Sequence, residues 1–281
     1  MTKNCSHSQD CPVCGSKAIS YWGCAPDFRR PEIEYDISRC CKCTHLFVNA
    51  LPSLEYLKDA YTSVWGDKDF FQTRTMGPFS DGDKWVWKHV SDAIIPGHYL
   101  DVGAANLKLL RQIAALGLNL TLVEPGAHAE ILGRTLQCNV YKCLFEECAF
   151  PNKFDIIAAV DVLEHVRSPI NFLVRIKAAL SDEGFALLRF PNSRSLRCAL
   201  ERRNWRMIRP LGHLHYFTPR SFRTACKLSG LRILTMLSHD VGYYNGIRGM
   251  NIRGLRFMSP VRKILDRLLL GDQLLVKIAR A

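Results

Sequence analysis

The pattern of apolar and polar positions changes near residue 96. The first fifty residues are rich in cysteine and turn-forming residues, and residues 53–95 carry apolar positions at helical spacing. Beyond that point, short apolar runs bounded by Gly or Pro alternate with segments of helical periodicity, which predicts strands and helices in turn. The predicted strands are 99–103, 119–124, 154–160, 184–190, 231–237 and 272–279, and the predicted helices are 107–116, 170–180 and 219–228. This alternation predicts an α/β fold with a doubly wound, mainly parallel, Rossmann-like sheet.

The same change of pattern predicts three parts of the chain. A small cysteine-rich module covers residues 1–50 and a helical linker or cap covers residues 51–95. The α/β domain covers residues 96–281, because the alternation of strands and helices begins after residue 96 and includes the predicted strand 272–279.

Two pairs of cysteines in the first module have the spacing of a zinc site. Two residues separate Cys11 from Cys14 and Cys40 from Cys43, and 25 residues lie between the pairs. A two-residue spacing lets one tight turn direct both sulfur atoms at one ion, and two such turns complete a tetrahedral site. The alternatives are a redox pair, whose thioredoxin-like context is missing, and unrelated buried cysteines. We predict a zinc ribbon with one structural ion, since four thiolates fill its coordination sphere.

Composition points to a folded, soluble chain. Of the 281 residues, 48% are apolar and 23% are charged, which allows a packed core. No apolar run is long enough to span a membrane, and the first residues lack the apolar segment of a signal peptide. We therefore expect a cytoplasmic protein. In that reducing compartment the cysteines are expected to be metal ligands and core thiols and not disulfides.

The positive charge is concentrated in the last third of the chain. From Ser193 onward there are 18 Lys and Arg against 4 Asp and Glu, whereas the formal net charge of the whole chain is +12. One interpretation is a solvated surface that keeps the protein soluble. The other is an anionic partner, such as a phosphorylated substrate, an acidic glycan, nucleic acid or an anionic membrane surface.

A strand–loop–helix junction suggests a nucleotide site. The junction runs from Asp101 through Gly103 to Leu107, and an acidic residue, Glu124, ends the next predicted strand. Ligands of doubly wound folds bind at the carboxyl ends of the strands, where Glu124 would accept hydrogen bonds from ribose hydroxyls. The dinucleotide pattern G-x-G-x-x-G is missing, so no seat for a pyrophosphate is evident in this loop.

Further strings carry a family resemblance. They are F-D-I-I at 154–157, D-V-L-E-H-V at 161–166, P-N at 191–192 and H-L-H-Y-F-T-P at 213–219. With the first loop and Glu124, they resemble class I S-adenosylmethionine-dependent methyltransferases, in the group that includes ubiquinone-pathway O-methyltransferases. The resemblance covers about residues 80–240. The cysteine module looks like the zinc appendage of some of these enzymes, notably ones that act on sugars.

The resemblance implies a cofactor, S-adenosylmethionine, and the residues that hold it. Asp101 and Gly103 would flank its methionine part, Glu124 would hold the ribose, and Phe145 or Glu146 would approach the adenine. Ala105 and Leu107 stand where the family pattern D-x-G-x-G-x-G has its second and third glycines. We expect a tolerable methyl group at Ala105 if φ is negative, and a helical, core-facing Leu107.

The segment Asp161, Glu164 and His165 has two interpretations. The first places it at the carboxyl end of a strand, where Asp161 lines the cofactor pocket and His165 is a polar wall or helix-start partner. The second follows from ubiquinone-pathway relatives, in which an E-x-x-E-H string is described as a magnesium site. On a helix, positions i and i+3 would share a face and meet one ion.

A lid is expected around residues 193–218, where the resembling methyltransferases bind their acceptor. His213 and His215 lie in it, and an imidazole near neutral pKa can take a proton from an acceptor hydroxyl. In an extended segment both imidazoles would face one side; the alternative is a packed histidine at a helix entrance. The preceding Arg202, Trp205 and neighbouring arginines suit a flat or phosphorylated acceptor.

The tail contains an amphipathic segment over residues 259–270. Val261, Ile264, Leu265 and Leu268 fall on one face of the predicted helix and basic residues on the other. The helix either covers the sheet or docks on anionic lipid as a peripheral membrane contact.

These observations predict methyl transfer from S-adenosylmethionine to a small-molecule acceptor, with a sugar or glycan hydroxyl preferred. Two alternatives remain open: a protein that binds the cofactor without turnover, and an RNA-modifying methyltransferase. Nucleic acid is disfavoured because the basic residues are scattered and no RNA-module string occurs. The sequence does not indicate an oligomeric state.

Overall fold

A computed structural model describes residues 9–27, 31–49, 81–93, 97–104, 107–210, 212–239 and 264–281, together with residues 51, 53, 55, 56, 59 and 79. The strands are β1 (Ile19–Pro26), β2 (Glu34–Cys40), β3 (Leu46–Val48), β4 (His98–Val102), β5 (Asn119–Val123), β6 (Asn139–Tyr141), β7 (Phe154–Val160), β8 (Leu180–Pro191), β9 (His215–Tyr216), β10 (Leu231–His239) and β11 (Gln273–Arg280). The helices are α1 (Asp81–Ser91), α2 (Leu107–Ala115), α3 (Ala129–Leu136), α4 (Pro169–Ala179), α5 (Leu196–Glu201) and α6 (Pro219–Leu228), with short 3₁₀ turns at Phe145–Glu147 and Arg202–Asn204.

Seven strands form the main sheet, in the order β10-β11-β8-β7-β4-β5-β6. The pairs from β8 through β7, β4 and β5 to β6 are parallel, and β11 is antiparallel to both of its neighbours. The predicted doubly wound, mainly parallel α/β sheet is thereby confirmed. Each predicted strand is present, although β8 is longer than predicted because it begins directly after α4.

Helices pack on both faces of this sheet, as the alternation along its strands requires. Tyr99 of β4 belongs to an apolar cluster with α1 and α2, whereas Leu100 belongs to a second cluster with α4 and α6. Successive side chains of a strand point to opposite faces, so a continuously apolar strand has helices on both sides.

A second, antiparallel sheet joins distant parts of the chain in the order β1-β2-β3-β9. Leu46 of β3 pairs with Tyr216 of β9, so the cysteine module is bonded to the segment that follows β8. The buried side chains of this region form a third apolar cluster that includes Ile37, Trp205 and Tyr216.

Two features differ from the expectations. Cys143 and Cys148 form a disulfide, although the sequence favoured thiols and metal ligands throughout. In the tail, residues 264–267 are helical, but Ile264 and Leu268 are exposed, so this apolar face does not cover the sheet. Leu265 of the same face is partly buried, whereas Val261 and the basic residues Arg262 and Lys263 lie outside the described residues. In the described part of the chain, no helix has the length and hydropathy needed to cross a membrane.

Candidate functional site

The carboxyl ends of β4, β5, β7 and β8 meet along one edge of the sheet, because these four strands are parallel. This cofactor edge, as we call it, brings together the turn at Gly103, the side chain of Glu124, and Asp161, which directly follows β7. Ligands of doubly wound folds bind at this edge. The predicted cofactor residues therefore converge although they are far apart in sequence.

The turn after β4 requires a glycine. Gly103 has a φ of +73°, and a Cβ atom there would lie 2.7 Å from Val162 Cγ2 in the loop after β7. The Gly103 N–H donates to the Val123 carbonyl at 2.9 Å, which ties the turn to β5. Ala105 lies outside the described residues, whereas Leu107 begins α2 and is buried in the core, as expected. Leu107, which replaces the third glycine of the family pattern, therefore does not obstruct the cofactor edge.

Asp101 lies within β4 and is bonded to its own strand. Tyr99 Oη donates to Asp101 Oδ2 at 2.8 Å. Burial raises the pKa of Asp101 to about 7, and nearby Asp83 acts in the same direction. The carboxyl group therefore changes its charge near neutral pH.

Glu124 is held at the end of β5 by its neighbours. The Gly126 N–H donates to Glu124 Oε1 at 2.7 Å, and His128 Nε2 lies 3.6 Å from the same oxygen. His128 Nε2 also lies 3.3 Å from the Ala104 carbonyl, so this buried imidazole bridges the loops after β4 and β5. The sequence analysis missed His128; its spacing of four residues from Glu124 is the signal that could have found it.

Phe145 lies in the core, whereas its neighbour Glu146 lies nearer the surface. Phe145 is 3% exposed and packs edge-on against Phe172, with ring centroids 5.1 Å apart. Its contacts are those of a core residue. Glu146 is partly exposed, and burial raises its pKa.

Asp161 is bound to an arginine that the sequence analysis missed. Arg189 Nε donates to Asp161 Oδ1 at 2.9 Å, and Arg189 Nη2 donates to Oδ2. The left-handed backbone of Asp161, with a φ of +57°, turns its carboxylate toward β8. Asp161, Glu164 and His165 consequently do not gather around one magnesium ion, and the geometry favours the interpretation of Asp161 as a wall of the cofactor pocket.

A different cluster forms from Glu164, His165 and His213, whose ligand-capable atoms lie within 4.8 Å of one another. The rings of His165 and His213 meet edge-on at 4.9 Å, and His165 Nε2 lies 4.0 Å from Glu164 Oε1. His165 Nδ1 contacts the Gly212 carbonyl, and His213 Nδ1 lies 2.8 Å from the Met207 carbonyl. Because a carbonyl only accepts, each Nδ1 carries a proton, and in the neutral form of each ring Nε2 then keeps its lone pair. Burial lowers the pKa of His213 to about 3, and His165 adds to that effect.

His215 does not join this cluster, so the arrangement expected for an extended segment is absent, and His215 fits the alternative of a packed histidine. It is 0% exposed, and its Nδ1 lies 3.2 Å from His45 Nε2 in the cysteine module. Burial lowers the pKa of His215 to about 4. The reason for the difference is that β9 contains only two residues, so His213 lies in the turn before it and not in the strand. Trp205, also expected near the acceptor, is buried and donates to Asp272 Oδ1 at 3.1 Å.

The four predicted zinc ligands come together at the carboxyl end of β2. The sulfur atoms of Cys11 and Cys43 lie 3.5 Å apart, those of Cys14 and Cys40 lie 3.6 Å apart, and all four lie within 4.8 Å of one another. A tetrahedral ion with bonds of about 2.3 Å separates its sulfur ligands by about 3.8 Å. Cys41, the neighbour of Cys40 in sequence, is exposed and outside the cluster. The donor set and its spacing fit zinc.

Comparisons with known proteins agree with this geometry. A family model described as a methyltransferase domain matches residues 89–236, more than half of the chain, and the chain belongs to this family. Fold and family together define a class I S-adenosylmethionine-dependent methyltransferase. Among curated proteins, no sequence matches the chain.

Solved structures share the fold at low sequence identity. One is the 1,6-didemethyltoxoflavin-N1-methyltransferase of Burkholderia thailandensis with 1,6-didemethyltoxoflavin and S-adenosylhomocysteine bound, at TM-score 0.55 and 14% identity, covering 85% of this chain and 96% of that chain. Another is a SAM-dependent methyltransferase from Archaeoglobus fulgidus, at TM-score 0.52 and 17% identity, covering 76% and 100%. A third is the plantazolicin methyltransferase BpumL in complex with SAH, at TM-score 0.51 and 14% identity, covering 80% and 94%.

Proposed function

We propose that this chain transfers the methyl group of S-adenosylmethionine to a hydroxyl oxygen of a small-molecule acceptor, and that the acceptor is a sugar or other carbohydrate. The observation that carries the proposal is the convergence of Gly103, Glu124 and the Glu164–His165–His213 cluster around the cofactor edge. The cysteine module, which resembles the zinc appendage of methyltransferases that act on sugars, supports the choice of acceptor.

The cofactor residues fit the group they are proposed to hold. Gly103 carries no side chain, so the methionine part could approach its backbone closely, next to Asp101. The Glu124 carboxylate would accept hydrogen bonds from the ribose hydroxyls, and Glu146 would approach the adenine. Asp161, which Arg189 holds in place, would line the cofactor pocket.

The proposed chemistry needs one proton acceptor. When bound, S-adenosylmethionine supplies an activated methyl group, so the protein contributes proximity, alignment and a base. We assign the base to His165, whose Nε2 lone pair takes the hydroxyl proton. Its positive charge would then lie 4.0 Å from the Glu164 carboxylate. His213, whose pKa of about 3 keeps it neutral, positions the His165 ring. His215 is assigned a packing role.

The proposed zinc ion is structural and is held by Cys11, Cys14, Cys40 and Cys43. Four thiolates leave no open coordination position, so the ion would take no part in methyl transfer. In the proposed organisation, the zinc ribbon covers residues 1–50, a linker or cap covers 51–95, and the methyltransferase domain covers 96–281 with its lid around 193–218. The pairing of β3 with β9 supports a zinc ribbon that holds the lid.

A methyl-transfer screen tests the proposal. The purified protein is incubated with radiolabelled S-adenosylmethionine and a panel of glycans, sugar phosphates and quinone precursors. We expect label in a carbohydrate, and a drop of kcat by about 10²–10⁴-fold in His165→Asn with an unchanged affinity for S-adenosylmethionine. His98→Asn, at the opposite end of β4, is the control and should retain activity. Tight cofactor binding without label in any acceptor would reject the proposed reaction in favour of binding without turnover.

A further inference from the structure

A cavity of about 550 Å³ lies where the zinc ribbon meets the lid. One wall comes from β1 to β3 and includes Trp22 and Thr44, and the other comes from residues 193–202 and the start of α6. Thr44 Oγ1 and Thr218 Oγ1 lie 2.8 Å apart in a hydrogen bond, which together with the β3–β9 pairing fixes the two walls. Its volume is that of a small-molecule site.

The charge of this cavity is strongly positive. Its lining includes five arginines, namely Arg39, Arg194, Arg202, Arg220 and Arg223, and none of its described lining residues is Asp or Glu. In the described part of the chain, none of these five guanidinium groups forms an ion pair with a carboxylate, whereas Arg197 of the neighbouring helix α5 pairs with Glu201 and Asp272. Five like charges around one space repel each other, and a bound anion removes that repulsion.

The residue types indicate a phosphate-bearing ligand. Guanidinium groups form paired hydrogen bonds to phosphate oxygens, and several of them suit a group with more than one negative charge. The ten-residue helix α6 begins at the cavity with Thr218 and Pro219, so the positive end of its dipole adds to the field. The Trp22 ring, 5.9 Å from Arg202 Cζ, offers a flat wall to the remainder of the ligand.

We propose that this cavity binds a phosphate or pyrophosphate group carried by a small molecule. Ser193, which lines the cavity, follows the end of β8 by two residues, and consecutive Cα atoms are about 3.8 Å apart. The Cα atom of Ser193 therefore lies within about 8 Å of the carboxyl end of β8, which belongs to the cofactor edge. That the ligand is the methyl acceptor rests on the proposed function, whereas binding of the anion does not.

Calorimetric titration of the full-length protein with inorganic pyrophosphate at low salt tests the site. We expect binding that weakens at least tenfold in the double variant Arg220→Ala/Arg223→Ala. Both side chains are exposed, so the variant should keep the wild-type melting temperature. The matched control is Arg111→Ala/Arg134→Ala, which removes two exposed arginines from α2 and α3, and its affinity should stay within twofold of wild type.

Three outcomes would overturn the proposal. They are absence of pyrophosphate binding by the wild type, an equal loss of affinity in the control, and sedimentation with phosphatidic-acid vesicles that needs Arg220 and Arg223 and is not displaced by pyrophosphate. The last outcome would assign the arginines to a lipid surface. S-adenosylmethionine is titrated into the same samples, because its failure to bind would reject the proposed function and leave the pyrophosphate result standing.

Discussion

The cofactor edge and the contact between the cysteine module and the segment around β9 are built in opposite ways. The edge consists of parallel strands joined by helices, so each of its residues follows a strand that the local pattern predicts. The contact of the cysteine module is antiparallel and joins residues about 170 positions apart, as in the hydrogen bonds of Thr44 with Thr218 and of His45 with His215. The comparison teaches that the proposed cofactor site is specified by local sequence, whereas the proposed acceptor site depends on a long-range contact.

Loss of the proposed zinc should give the largest effect. Cys14→Ser removes one of four ligands, and structural zinc contributes about 10–16 kcal/mol of apparent binding free energy in zinc-finger peptides. We expect less than one zinc per chain, early hydrogen exchange in residues 19–48 and 214–217, and loss of methyl transfer with retained cofactor binding. Elemental analysis and hydrogen-exchange mass spectrometry provide the measurements.

Cys41→Ser is the matched control for the zinc experiment, because Cys41 is exposed and adjoins the cluster without joining it. It should bind zinc as the wild type does. Unchanged zinc content in Cys14→Ser would contradict the assignment. If hydrogen exchange instead increased first in β4 and β5, the cofactor edge would depend on the ion as much as the cysteine module does, and the contrast between the two regions would be wrong.

Breaking the ion pair at the cofactor edge should rank second. Arg189→Met leaves the Asp161 carboxylate largely buried beside an apolar chain, and removal of one partner of such a pair costs about 3–5 kcal/mol. Urea denaturation measures the change in the free energy of unfolding. Arg134→Met removes an exposed ion pair with Glu130, and its effect should be below about 1 kcal/mol. Equal effects of the two substitutions would show that the Asp161 pair is solvated.

A smaller effect is expected on cofactor affinity alone. Glu124→Ala removes the proposed ribose acceptor and should weaken S-adenosylmethionine binding by about 1.5–3 kcal/mol, the range for a hydrogen bond to a charged group. Calorimetry gives this value directly. Glu130→Ala, on the exposed side of α3, should leave the affinity unchanged. An unaltered affinity in Glu124→Ala would remove the ribose assignment.

The smallest effect per pH unit is a change in the free energy of unfolding, with opposite sign in the two regions. Burial raises the pKa of Asp101 to about 7. The contribution of Asp101 to stability is therefore present below its unfolded pKa of about 3.9 and is lost as the pH rises to 7. Burial lowers the pKa of His215 to about 4. The contribution of His215 to stability is therefore present above its unfolded pKa of about 6.5 and is lost as the pH falls to 4. Each group contributes at most about 1.4 kcal/mol per pH unit.

Urea denaturation across pH 4–8 measures both slopes. Asp101→Asn should remove stability that declines with rising pH, and His215→Gln should remove stability that declines with falling pH. Wild-type slopes in both variants would show that neither pKa is shifted as stated.

Much of the main sheet could be predicted from the sequence because its signals are local. An apolar run as short as 154–160 is typical of a buried strand, since helices are usually longer, and Gly103 marks a turn that needs a positive φ. The short strands β6 and β9 escaped prediction because two or three residues carry no periodicity. The core position of Phe145 was missed for a related reason, since an aromatic residue in a turn has the same local signal whether it packs or binds.

The sequence by itself determined the class of fold, the succession of the main strands along the chain, and the positions of Gly103, Glu124 and Asp161 at strand ends, because these features are set by neighbours along the chain. The tertiary structure decided which charged and polar groups meet. Arg189 neutralises Asp161, His213 and not His215 joins His165, and five arginines from three segments surround one cavity. Such partnerships depend on the register between strands and on packing between segments, and residue spacing along the chain carries no record of either.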